Sequence, residues 1–243
     1  MGLKGIFFDV YGTLIDIETD EQREDVYRAI AHYLIYEGIH MHRTEVRELY
    51  FRILQEKLHE SAEEYPEIDQ VAVWQEFLRR RPGHGVSLGL PLFLACLHRG
   101  MARQRLRPIR NVPAVLEALR SRFVFAVVSD AQAVYVRREM EALGLMTFFD
   151  HLVISSEHGY RKPDRRLFEN ALARTGLRPD EVLFVGNDGF RDIRGGNNAG
   201  MKTVLLRADQ RPEHPDDALA DFVIADFLEL PAVAGQLQDG GAA

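Results

Sequence analysis

GIFFDVYGTL, residues 5–14, is the stretch on which the fold turns. Its first four residues are apolar or glycine without alternation, the pattern of a strand covered on both faces, as in a parallel sheet. The run stops at the carboxylate of Asp9, and Gly12 permits a tight turn just beyond it. Taken alone, an Asp past a strand is a turn residue or a helix cap. It can also be a nucleophile, forming an aspartyl intermediate that water then hydrolyses. Which of these applies depends on what the rest of the chain brings to the same place.

Similar apolar runs recur at 123–128 (FVFAVV), 152–154 (LVI), 182–185 (VLFV), 203–206 (TVLL) and 222–225 (FVIA). From residue 112 onward they alternate with the helical patterns NVPAVLEALRSR, AVYVRREMEALGL, DRRLFENALARTGL and a short segment from Phe190. Buried strands alternating with amphipathic helices predict an α/β fold with a parallel sheet. Residues 17–105 read differently. Val26, Ile30 and Leu34, then Val46, Leu49, Ile53 and Leu58, recur at helical spacing with charges between them. Further helices are predicted at 69–80 and 87–104, with YPEID and RPGHG as breaks. The expected organisation is a core made of 1–16 and 106–243, with an all-helical cap, 17–105, inserted over the mouth of the sheet. Parallel sheets bind ligands beyond the carboxyl ends of their strands, so such an insert would act as a lid.

With 243 residues, 46% hydrophobic and 28% charged, the composition is that of an ordinary globular protein. A formal net charge of -7 excludes the broad basic face of a general nucleic-acid binder. It leaves room for a small anionic substrate, which needs only one or two cations inside a cleft. The single cysteine, Cys96, lies in the apolar run PLFLACL and is expected to be a small core residue. No run approaches the ~20 apolar residues of a membrane span, and no signal-peptide layout is visible, so the cytoplasm is the expected compartment. Oligomeric state is not readable from the sequence.

Three more clusters follow other predicted strands. Ser129-Asp130 sits between VFAVV and a helix, where a hydroxyl and backbone N–H groups can donate to an anionic oxygen or cap the helix. Lys162, in YRKPDRRLFENAL, stands before a helix start expected near Pro163, where its ammonium could neutralise Asp9 and a substrate anion. Arg161 beside it is expected to be exposed. Finally, Gly186-Asn187-Asp188-Gly189-Phe190-Arg191-Asp192 crowds carboxylates and an amide into a loop past VLFV, an oxygen-rich arrangement of the kind Mg²⁺ takes.

In order and spacing these residues resemble the haloacid dehalogenase-like hydrolase superfamily: D-x-x-G-T after the first strand, Ser after the next core strand, K-P before a helix, and G-N-D-x-x-x-D after another. The resemblance spans nearly the whole chain, and the block at 17–105 sits where the family's helical cap is inserted. It implies a Rossmann-like core, with Asp9 as nucleophile and Lys162 steadying nucleophile and substrate. Ser129 would bind the transferred group, with Thr13 and Asp130 among the substrate-binding positions. It also implies Mg²⁺ held by Asp9, the Tyr11 backbone carbonyl and the fourth motif, namely Asn187, Asp188 and Asp192.

Two positions depart from the family's phosphatases. The acid that protonates the leaving alcohol is there an Asp two residues beyond the nucleophile, and here Tyr11 occupies that catalytic position. A phenol, with an ordinary pKa near 10, is a poor acid at neutral pH. The fourth motif opens with Asn187 where an Asp is usual, a weaker Mg²⁺ ligand beside Asp188. Tyr at position 11 is similar to the 2-haloacid dehalogenases, which need neither acid nor metal. Their pattern, however, has Asn where this chain has Asp130 and Tyr where it has Phe168, and their fourth motif is less acidic. They also use a cap arginine, for which Arg43, Arg47 and Arg52 are candidates. The leading expectation is a Mg²⁺-dependent phosphatase of small metabolites. The alternatives are a dehalogenase and a catalytically weak binding protein.

Overall fold

A computed structural model describes residues 2–81, 89–207 and 214–239. Its centre is a six-stranded parallel sheet built from β1 (Gly5–Phe8), β4 (Val124–Ser129), β5 (His151–Ile154), β6 (Val182–Gly186), β7 (Lys202–Leu206) and β8 (Phe222–Ile224). The spatial order is β5-β4-β1-β6-β7-β8. The chain leaves β1 toward β4 and β5, then returns to β1's other side for β6, β7 and β8. β1 is therefore the switch point of the sheet, where loops part and leave a crevice. The expected Rossmann-like α/β architecture is present.

Side-chain alternation explains why the strands read as unbroken apolar runs. Ile6, Phe8, Phe125, Val127, Leu183 and Val185 face one apolar layer, together with α5 (Val112–Leu119), α6 (Ala133–Ala142) and α9 (Leu230–Asp239). Phe7, Ala126, Val128, Val182 and Phe184 face the opposite layer, against α7 (Arg165–Thr175) and Ala199. With both faces covered, no position along the central strands needs to be polar. On β1 only Asp9, the residue that follows it, breaks the rule.

Four helices, α1 (Glu24–Tyr36), α2 (Arg43–Glu60), α3 (Gln70–Arg80) and α4 (Leu90–Ala102), pack around an apolar cluster that includes Ile30, Leu34, Ile53, Trp74, Phe77 and Leu94. The spacing of Val26, Ile30 and Leu34 puts one buried stripe on α1, as anticipated. Asp69 starts α3 by accepting from Val71 N at 2.9 Å. Of the breaks, YPEID falls between α2 and α3. RPGHG beyond Arg81, and the start of the helix predicted from 87, lie outside the described residues.

The edges of this block are not helical. β2 (Ile15–Thr19) and β3 (Arg103–Pro108) form an antiparallel ribbon, with Asp16 opposite Arg107 and Glu18 opposite Arg105. The helix expected to run to 104 ends at Ala102. Arg105 bonds Asp16 at 2.9 Å and Glu18 at 2.6 Å, a charged outer face whose alternation with Ile17 and Leu106 marks a half-covered strand. Cys96 on α4 is only partly buried, with Arg138 Nη1 3.0 Å from its sulfur.

Phe8 is fully buried beside the rings of Phe125, Phe149 and Phe227, at centroid distances of 5.4, 5.8 and 6.1 Å. Phe8→Ala leaves a cavity on the central strand and is expected to cost about 3–5 kcal/mol in urea unfolding. A loss under about 1 kcal/mol would contradict this packing.

Candidate active site

The loop after β1 is fixed by its own backbone. Asp9 N donates to Val185 O at 2.9 Å, extending the ladder with β6 by one rung. Thr13, Leu14 and Ile15 then turn back to donate to Val10 O, and Gly12 adopts φ +87°. A Cβ at Gly12 would also fall 2.4 Å from Asn187 Nδ2, so both conformation and space call for glycine there.

Register brings the other motifs to Asp9. Phe8 is level with Val127 of β4 and Val185 of β6, so the ends of both neighbouring strands lie beside the carboxylate. Ser129 Oγ donates to Asp9 Oδ1 at 2.9 Å. Lys162 Nζ donates to the same oxygen at 2.7 Å and to Asp192 Oδ1 at 2.6 Å. Lys162 precedes a cis peptide bond to Pro163, and the helix beyond starts at Arg165, two residues later than expected, with Asp164 as its cap. Arg161 is exposed, as anticipated.

Asp192 lies in a π-helical turn, Gly189–Arg194, and is 1% exposed. Its Oδ2 accepts from the backbone N–H groups of Asn187 and Asp188, both at 3.0 Å. Gly186 makes this possible, since a Cβ there would meet the Asp192 side chain at 2.4 Å. Both oxygens of Asp192 are thus engaged in holding Lys162 and the loop. Thr13 Oγ1 donates to Asn187 Oδ1 at 3.3 Å, joining the first and fourth motifs. Asp188 accepts from Arg191 N at 2.8 Å as the cap of the π-helical turn.

The charges do not balance locally. Asp9, Asp130, Asp188 and Asp192 line a chamber of about 180 Å³ together with Lys162, Arg191, Asn187 and Tyr11. Burial opposes the Lys162 charge, but Asp192, Asp9 and Asp130 outweigh it, and the ammonium is held charged well above its ordinary range. Burial, against Lys162 and reinforced by Asp9, pushes Asp192 upward. Four carboxyl groups facing two cationic side chains, in an oxygen-rich pocket, fit a further divalent cation. Among the described residues no three Asp, Glu, His or Cys side chains converge on a closed metal cluster. The fit is thus to an ion with one or two carboxylates and retained waters.

Tyr11 is drawn away from this chamber by contacts that the sequence did not reveal. Its hydroxyl donates to Glu139 Oε2 at 2.5 Å, and Glu139 also accepts from Arg99 Nε at 2.9 Å and Nη2 at 3.1 Å. The Arg99 guanidinium stands 5.3 Å from the centroids of both the Tyr11 and Tyr135 rings. Burial and the Glu139 carboxylate, only partly offset by Arg99, raise the phenol further above its ordinary value. Arg99, rather than Arg43, Arg47 or Arg52, is the helical-block arginine lining the larger cavity. Arg43 pairs with Glu24 and Arg47 with Gln22. A charged residue on an otherwise apolar helix face was the available signal: Arg99 follows buried Ala95 by four residues, and Glu139 follows Tyr135 by four.

The larger cavity, about 490 Å³, is bounded by Tyr11, Arg99, Tyr50, Phe51, Glu67 and Asp130, among others. His98 on its wall is kept neutral, as burial lowers its pKa to about 4. Tyr11 and Asp130 line both spaces. The arrangement is a deep carboxylate, pinned through one oxygen, in a small polar chamber next to a mixed polar and apolar cavity.

A family model described as haloacid dehalogenase-like hydrolase matches residues 3–200. A glyceraldehyde 3-phosphate phosphatase of Methanothermobacter thermautotrophicus is 29% identical over 236 residues, covering 95% of this chain and 99% of the relative. Another from Methanopyrus kandleri is 31% identical over 242 residues, covering 97% and 98%. Among solved structures, a 2-haloacid dehalogenase from Pseudomonas syringae superposes with a TM-score of 0.66 at 21% identity, covering 96% of this chain and 99% of that one. At that identity the likeness is one of fold.

Removing the ammonium would leave buried carboxylates uncompensated. Lys162→Met is expected to cost about 3–5 kcal/mol in denaturant unfolding without added metal, whereas Asp9→Asn, which removes a carboxylate from the surplus, costs far less. Equal losses for the two variants would contradict the charge imbalance described.

Proposed function

Because the chain belongs to the haloacid dehalogenase-like hydrolase family, we propose that this hydrolase is a phosphatase of small phosphorylated metabolites, with Asp9 as nucleophile and Mg²⁺ as cofactor. The observation that carries the reading is the Asp9 carboxylate, pinned at Oδ1 by Lys162 and Ser129 and lining a chamber that shares Tyr11 and Asp130 with a metabolite-sized cavity. Relatives named as phosphatases over nearly the full length of both chains support phosphate as the transferred group.

In this reading Oδ1 of Asp9 is occupied by its two donors and Oδ2 attacks phosphorus. Lys162 holds the nucleophile in place and, with Ser129 Oγ, supplies donors to phosphoryl oxygens without reorganisation. Asp192 acts as a positioning group, fixing Lys162 and the Asn187-Asp188 backbone. Asp9, the Tyr11 carbonyl and Asp188 would hold the ion, with Asn187 at the rim, tied to Thr13. Mg²⁺ bound there supplies positive charge opposite the developing charge on the phosphoryl oxygens. Residues 17–105 act as a cap over the core of 1–16 and 106–243, and Arg99, paired across the gap to Glu139, is one of its contacts with the site.

Dehalogenation is the second reading, favoured by Tyr11. A buried Asp130 carboxyl where a halide would depart counts against it. Among the described residues no helix is long and apolar enough to cross a membrane.

Phosphate release from a panel of phosphorylated metabolites is expected to require Mg²⁺, to stop with EDTA, and to fall by about 10³-fold or more in Asp9→Asn. Metal-independent halide release from 2-chloropropionate would overturn the proposal. So would binding of metabolites by both proteins with no hydrolysis by either.

A further inference from the structure

The phosphatase reading leaves the departing alkoxide without a proton. Tyr11 is the residue two beyond the nucleophile, and its hydroxyl hydrogen is committed to Glu139. Among the described residues only two line both the nucleophile's chamber and the larger cavity, Tyr11 and Asp130. The bond to the leaving group must cross that junction if the phosphoryl group sits at Asp9 and the rest of the substrate lies in the larger space.

Asp130 has the required features. Its Oδ1 accepts from Lys162 N at 2.8 Å, which fixes the side chain. Its Oδ2 is buried and has no hydrogen-bond partner among the described residues, with Arg191 Nη1 4.0 Å away. An oxygen without a donor, in a group of surplus carboxylates, is where a shared proton settles at least cost. Asp192 is less suited, because both its oxygens already accept hydrogen bonds. Burial, opposed by Lys162 and assisted by Asp9, raises the affinity of Asp130 for a proton. Glu67, the other carboxyl whose pKa burial raises in the larger cavity, accepts from Ser155 Oγ at 2.8 Å and Gln132 Nε2 at 3.1 Å, and does not line the chamber.

We propose that Asp130 is the general acid of this enzyme, replacing the acid absent at position 11; the proposal rests on the phosphatase reading. Asp9 Oδ2 forms a bond to phosphorus while the bond from phosphorus to the substrate oxygen breaks, and that oxygen takes the proton from Asp130 Oδ2 and leaves as the alcohol. Water then attacks the phosphorus of the aspartyl phosphate. The bond from phosphorus to Asp9 Oδ2 breaks as the Asp130 carboxylate takes the proton of that water, inorganic phosphate leaves, and both side chains return to their starting states.

Asp130→Asn keeps an oxygen to accept from Lys162 N and replaces the acidic oxygen by an amide nitrogen of similar size that cannot act as the acid. With Mg²⁺ present, its single-turnover rate of alcohol release from an alkyl phosphate such as glycerol phosphate, which precedes the water step, is expected to fall about 10²–10⁴-fold. On 4-nitrophenyl phosphate, whose phenolate needs no proton to leave, the rate of the first-turnover burst of nitrophenolate is expected to stay within about 10-fold of the parent's. The melting temperature reads folding independently, and Asp130→Ser repeats the comparison if the amide misfolds. Equal losses on the two substrates in a folded variant, or no loss on either, would overturn the assignment while leaving the phosphatase reading intact. A parent enzyme that releases phosphate from neither substrate nor the metabolite panel would overturn both.

Discussion

One ammonium organises this structure. Lys162 Nζ reaches Asp9 just beyond the first strand and Asp192 beyond the sixth, while its backbone N–H holds Asp130 beyond the fourth. Three loops from three strands thus converge on one 3% exposed lysine. A buried cation is costly unless its partners are close and well aligned. Its cost therefore ties the loops to one another, and the carboxylate at Asp9 is held in position before any substrate arrives.

That convergence depends on the sheet. β1 is flanked by β4 and β6 in parallel register, so all three strands deliver their carboxyl ends to the same edge. Packing on both faces keeps the strands rigid, the close approach at Gly12 lets the first and fourth motifs touch, and the one at Gly186 lets Asp192 fold back onto its own loop. The surplus of carboxylate over cation is the chemical result. It leaves the site short of positive charge, which the proposed Mg²⁺ would supply, and it makes Asp130 the place proposed for a proton.

The central strands were legible in the sequence because burial on both faces removes polar positions from them, leaving FVFAVV and VLFV as unmistakable runs. Asp9, Ser129 and the fourth motif were legible because each stands at the end of such a run, and Lys162 because it stands before Pro163 and a helix start. The β2–β3 ribbon was not, since its short strands alternate charge with apolar residues and pair across more than eighty positions. Nor was the chain Tyr11–Glu139–Arg99, which joins three segments distant in sequence. The sequence marks Tyr11 as a misplaced acid, and the structure adds where its hydroxyl goes. The family match over residues 3–200 bears out the superfamily resemblance.

The central claim is that Asp9 becomes covalently phosphorylated. Rapid-quench mass spectrometry of a single turnover with a phosphorylated substrate tests it directly. The account predicts a transient phosphoryl adduct on the peptide that contains Asp9. Release of phosphate with no adduct on that peptide at any time, or an adduct on another residue, would contradict it.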